Sequence, residues 1–282
     1  MPDSIAIKGR DFSNYVDQGM APGEFTYRIL AEGDSWMERS SAFTASLPDY
    51  LARAMVDESV LIINLAIFGD TMRRIGKTIS GEYGWWLKQF TFDAILLSAG
   101  GNDYIDAARD PAPGQGLLRD RRGAPSPGTV ADCVHTAALQ SLITDYLDPN
   151  FSKLHRATRR STLNKHTPIF LNQYDTPVAR DAPAPPLKRA WLQAAYVKNG
   201  IDPSLWPAVT DQLFTSLRDT IDTWRSAHDG VHVVPTNGVM TPADPTATGP
   251  SGDWINEIHP TASGWEKLAP VWQAQILSVI KG

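Results

Sequence analysis

Cysteine is all but missing from this chain. Cys133 stands alone among 282 residues, so no disulfide can form within the chain, and stability has to come from a packed core. It lies in a stretch of helical pattern, 129–147, where a thiol serves as a small apolar filler, and only His135 stands near it as a base. Long hydrophobic runs are absent as well: no stretch approaches the ~20 apolar residues that a membrane-spanning helix needs. The opening residues, Met1-Pro2-Asp3-Ser4, lack the basic start and apolar run of a secretory leader, so the cytoplasm is the expected compartment. Positive charge is in deficit, with 26 Lys and Arg against 31 Asp and Glu and a net charge of −5. A nucleic-acid surface needs clustered basic residues, and the pairs Arg73-Arg74, Arg121-Arg122 and Arg159-Arg160 read as solvated faces.

Several motifs are missing too. There is no His-Glu-x-x-His pair, no paired cysteines and no Asp-rich calcium loop, so neither a metal nor a cofactor is expected. Gly69 followed by Gly76-Lys77-Thr78 is a near miss for a phosphate-binding loop: that motif has four residues between its glycines, and here residues 70–75 intervene. The absence of a Gly-x-Ser-x-Gly elbow argues against the α/β-hydrolase arrangement.

What the chain does have is an alternation of strand and helix patterns. Apolar runs at 27–31, 60–66, 94–99, 167–172 and 231–235 predict five strands, nearly continuous in apolar residues, as buried parallel strands are. Between them, helical spacing is found at 41–55 (Phe43, Leu47, Leu51, Met55), 129–147, 152–163, 187–198, 208–227 and 262–280. Such alternation predicts an α/β fold, a three-layer α/β/α sandwich around a parallel sheet, in a single domain spanning 1–282. Residues 1–26 show no clear period and are expected to form an arm on the outside. Segments 104–128 and 173–207 are rich in Pro and Gly and read as insertions. The second either covers the edge of the sheet as a lid or packs on the scaffold.

Three strand ends carry polar, glycine-bearing turns: Gly33-Asp34-Ser35-Trp36, Phe68-Gly69-Asp70 and Gly100-Gly101-Asn102-Asp103. In a parallel sheet these turns converge on the C-terminal edge, where open α/β sheets bind ligands. A serine hydroxyl there becomes a nucleophile only when a base takes its proton, and His259, in Asn256-Glu257-Ile258-His259-Pro260, is the candidate base. The amides of Ser35 and Gly69 and the side-chain amide of Asn102 are candidate donors to an oxyanion. Trp36, Tyr104, Tyr174, Trp191 and Trp254 are candidates for lining a substrate pocket. The other histidines (His135, His155, His166, His228 and His232) fall on helices or strands with no partner motif and read as structural.

These blocks, Gly33-Asp34-Ser35, Gly69, Gly101-Asn102-Asp103 and His259-Pro260, resemble the SGNH hydrolases, the GDSL esterase and lipase family, in order and in placement from about residue 27 to 280. The resemblance implies a flavodoxin-like sheet of order 2-1-3-4-5. It also implies a serine esterase acting on small or medium acyl esters, with an acyl-enzyme on Ser35, His259 as general base and no cofactor. An O-deacetylase of acetylated sugars, a thioesterase, and a non-catalytic binding protein on the same scaffold are the alternatives. The family usually carries Asp three residues before the histidine, where this chain has Asn256. An Asn carbonyl accepts the imidazole's hydrogen bond but offers no charge, so Asn256, Glu257 and Asp253 all stand as candidates for the third member, and a Ser-His dyad is a further possibility.

Overall fold

The apolar runs fold as one parallel sheet in the computed structural model, which describes residues 1–38, 45–110, 112–187 and 189–282. Its strands are β1 (Ile5–Lys8), β2 (Tyr27–Gly33), β3 (Val60–Asn64), β4 (Ala94–Ser98), β5 (Ile169–Asn172) and β6 (Val231–Val234), in the order β1-β3-β2-β4-β5-β6. The five anticipated strands thus take the anticipated order, and a sixth joins at the edge. It comes from the segment expected to be an outer arm: Ile5 to Lys8 pair in parallel with Leu61 to Asn64. A strand of four residues at a half-covered edge leaves too short a pattern to detect.

The helices are α1 (Phe12–Asp17), α2 (Leu47–Ala54), α3 (Met72–Thr78), α4 (Glu82–Gln89), α5 (Gly101–Ala108), α6 (Thr136–Ser141), α7 (Asp148–Arg160), α8 (Leu192–Lys198), α9 (Trp206–Ala227) and α10 (Ala262–Ile280). Of the helix expected over 41–55, residues 41–44 lie outside the described residues. Its later part is α2, which turns Leu47 and Leu51 inward and packs against α10. Asp148-Pro149-Asn150 does not separate two helices as expected. The helix continues from α6 through a wide π-type turn, Leu142–Leu147, into α7, and Pro149, which has no N–H to give to the preceding turn, directly follows that widening. Pro207 sits in the first turn of α9.

Gly33 is where the backbone demands glycine. Its φ is 145°, and a Cβ there would lie 2.3 Å from the Ser98 carbonyl oxygen. The tight approach lets the Asp34 N–H donate to that same oxygen at 2.9 Å, so the turn after β2 is clamped on the end of β4. Of the two insertions, 104–128 begins inside α5, and its remainder ties back to Cys133, His135 and Asn199. Among the described residues, no helix is long and apolar enough to cross a membrane.

Candidate active site

The turn after β2, the turn after β3, the start of α5 and the loop before α10 meet at the C-terminal edge of the sheet. The Ser35 hydroxyl lies 2.9 Å from Nε2 of His259, and Nδ1 of the same ring lies 2.9 Å from Oδ1 of Asn256. The orientation of the Asn256 amide is set by the backbone, because its Oδ1 also accepts the N–H groups of Ile258 at 3.1 Å and His259 at 3.0 Å. Only an oxygen accepts three donors, so Nδ1 carries the ring proton and Nε2 presents its lone pair to Ser35. Burial without a neighbouring carboxylate pushes the His259 pKa down to about 4, so the imidazole is neutral near pH 7. The Phe68 ring stacks on one side of His259 at 5.8 Å, and Trp191 meets it edge-on at 5.5 Å.

The other two candidates for the imidazole's partner are engaged elsewhere. The Glu257 carboxylate is fully buried and accepts the backbone N–H groups of Arg180, Trp191, Leu192 and Gln193, the last three at the start of α8. Burial raises its pKa to about 7 against those four donors. Asp253 binds the Lys267 ammonium, the Ser263 hydroxyl and the Thr241 N–H. The segment 173–207 is knitted to the His259 loop: Glu257 holds it from one side and the buried Arg180 from the other. The Arg180 guanidinium donates to the carbonyls of Ala247, Gly249, Trp254 and Asn256. Sequence reasoning had no signal for Arg180, since its partners are main-chain oxygens about 70 residues away.

Asn102 stands in the first turn of α5, and its Nδ2 donates to the Asp70 carbonyl at 3.0 Å, which ties it to the Gly69 turn. A side-chain amide has two N–H donors, so this bond fixes the group and leaves one donor over. Gly69 itself has φ 76° and lies half-buried between Phe68 and Asp70.

Beneath Ser35 runs a buried network that the sequence did not reveal. The Tyr174 hydroxyl donates to Asp34 Oδ2 at 2.5 Å, the Ser98 hydroxyl to Asp34 Oδ1 at 2.9 Å, and the Trp36 N–H to the same oxygen at 3.0 Å. Burial raises the Asp34 pKa to about 6 despite these donors. Desolvation raises Asp103 to about 7 and Glu32 to about 8. Tyr174 has φ 56°, a left-handed conformation costly for a bulky residue, of the kind that tertiary packing sustains at functional sites.

A cavity opens beside Ser35 and Asn102. Its walls include Trp36, Tyr174 and Trp254, together with Ile105, Phe214 and Ile258. Tyr104 does not belong to it. On α5, Asn102 and Ile105 share a face, whereas Tyr104 lies about 200° round from Asn102 and exchanges a hydrogen bond with Ser216 on α9. Trp191 touches the His259 ring instead of the cavity wall. Among the described residues, no cluster of His, Cys, Asp or Glu is arranged to hold a metal ion.

Comparison with known proteins gives the family and the fold. Residues 31–267 match the model of the GDSL-like Lipase/Acylhydrolase family. No curated protein matches the chain. Among solved structures, the chain is similar to an extracellular lipase from Streptomyces rimosus, with a TM-score of 0.55 and 14% identity over 88% of this chain and 99% of that one. It is similar also to a GDSL-like lipase from Parabacteroides merdae, with a TM-score of 0.51 and 15% identity over 89% and 96%. At these identities the structures speak for the fold alone, while the family model spans most of the chain. The chain belongs to the GDSL-like lipase/acylhydrolase family and is a hydrolase acting on ester bonds.

Proposed function

We propose that the protein hydrolyses small-molecule acyl esters through an acyl-enzyme on Ser35. The observation that carries this reading is the aligned chain from the Ser35 hydroxyl through the neutral His259 ring to Asn256 Oδ1, each step 2.9 Å. Nε2 takes the hydroxyl proton as Oγ bonds to the carbonyl carbon. The oxyanion that forms is met by the Ser35 and Gly69 amides and by the remaining N–H of Asn102. Collapse breaks the bond to the alcohol, whose oxygen receives the proton from the imidazolium. Water then attacks the acyl-enzyme with His259 again as base, releasing the acid and restoring Ser35. Protein groups and water suffice for each step. Asn256 fixes the tautomer without a charge to stabilise the imidazolium, in the manner of Cys-His-Asn proteases.

Turnover of p-nitrophenyl acetate by the parent and by Ser35→Ala tests the proposal. Loss of turnover in the variant, with its melting temperature within a few degrees of the parent, is the expected result. Equal activity in the two removes Ser35 from the mechanism.

A further inference from the structure

The cavity beside Ser35 is small, and Trp36, Ile105, Phe214, Trp254 and Ile258 supply the apolar part of its lining. About 310 Å³ of space is free of atoms there, at the bottom of the range for small-molecule sites, and much of that opens to solvent. The centre of a water-sized group has only about 20 Å³ to move in, little more than one water needs. Ile105 on α5 and Phe214 on α9 stand in the cavity wall, both buried in the core, so that part of the wall yields only at the expense of packing. The two carboxylates in its lining already accept hydrogen bonds from the protein. Asp34 is held by Tyr174, Ser98 and the Trp36 N–H, and Asp175 accepts the N–H groups of Thr176, Gly238 and Met240.

The two halves of an ester are told apart by where the proton goes. The leaving oxygen must be within reach of His259 Nε2, and His259 is not part of the cavity wall. Phe68, stacked on His259, is 49% exposed, so the imidazole side is where the site meets solvent. With the carbonyl oxygen at Asn102 and the alcohol on the His259 side, the acyl chain is left the cavity, whose wall includes Ile105 and Phe214.

We infer that this site is specific for esters of very short acyl groups, acetyl first, with Ile105 and Phe214 setting the length limit and the alcohol left free on the open side. The inference rests on the esterase reading above and narrows it. A methyl group fits a space the size of one water, whereas each further methylene has to displace a packed side chain.

The experiment is kcat/KM for p-nitrophenyl acetate, butyrate and octanoate, in which the leaving group is constant and only the acyl chain varies. The expected result is acetate preferred over octanoate by at least about 100-fold. In both Phe214→Ala and Ile105→Ala, each checked for folding by its melting temperature, the octanoate-to-acetate ratio should rise at least tenfold. Octanoate hydrolysed as well as acetate by the parent overturns the length limit while leaving the esterase intact. A ratio unmoved in a folded variant overturns the role of that wall residue. Absence of turnover with all three esters, in a folded parent, overturns the esterase reading and this one with it.

Discussion

Replacing Asn256 with aspartate puts a carboxylate where a neutral oxygen now faces the imidazole at 2.9 Å. The backbone N–H groups of Ile258 and His259 that hold Oδ1 would serve a carboxylate oxygen equally well, so the geometry should survive. Two unit charges about 4 Å apart interact by about 4 kcal/mol at an effective dielectric constant of about 20. At 1.36 kcal/mol per unit this is a ceiling of about 3 pKa units, and burial of the new charge brings the expected rise to about 1–3 units. The sign follows from which form is charged. In the parent, burial disfavours the imidazolium and His259 protonates only near pH 4; a neighbouring anion favours the imidazolium, so the variant must protonate at higher pH. The acid limb of kcat/KM, which reports the free enzyme's base, should therefore move from near pH 4 to roughly pH 5–7. A stronger base raises kcat on the plateau by roughly tenfold, by Brønsted behaviour. The gain stays far below the loss of about 10⁴ that follows the reverse substitution in serine proteases, which reflects a wrong tautomer; here the tautomer is already correct. The assay is ester hydrolysis followed by acid release from about pH 4 to about pH 9. An acid limb that stays where it is in a folded Asn256→Asp protein refutes both the burial-depressed imidazole and the role given to Asn256.

Other perturbations have equally definite outcomes. Asn102→Ala should lower kcat by about 10²–10³ with little change in KM, because an oxyanion donor acts in the transition state; steady-state kinetics with one ester decides it. Glu257→Gln leaves backbone donors of 173–207 and α8 poorly met. It should cost about 1–3 kcal/mol and lower the melting temperature by several degrees; an unchanged melting temperature contradicts the clamp. Tyr174→Phe removes the hydroxyl that donates to buried Asp34 and should cost a comparable amount, read by urea denaturation.

The parts of the fold that were legible are those written in local pattern. Runs such as Leu61-Ile62-Ile63 have no alternative to a buried strand, and each candidate catalytic residue stands within a few residues of a strand end or in a short turn. Where legibility failed, the deciding contacts were distant or the pattern too brief. Ile5–Lys8 offers four residues of an edge strand and no more. Tyr104 was placed in the pocket from nearness in sequence to Asn102, and the helical turn of α5 carries it to the opposite side. Spacing favoured Asn256 as the imidazole's partner but left Glu257 and Asp253 open beside it. They separate only when the four N–H groups that capture Glu257 and the Lys267 ammonium that captures Asp253 are seen. Arg180, Ile105 and Phe214 have no motif, since they act through packing and main-chain oxygens contributed by other elements.

The most direct test of the central claim is covalent. Incubation with a fluorophosphonate, followed by intact mass and peptide mapping, should give one adduct per chain on the Ser35 oxygen. The adduct should vanish in Ser35→Ala and form far more slowly in His259→Ala, which loses the base 2.9 Å away. A folded parent that takes up no label, or carries it on a different residue, contradicts the account.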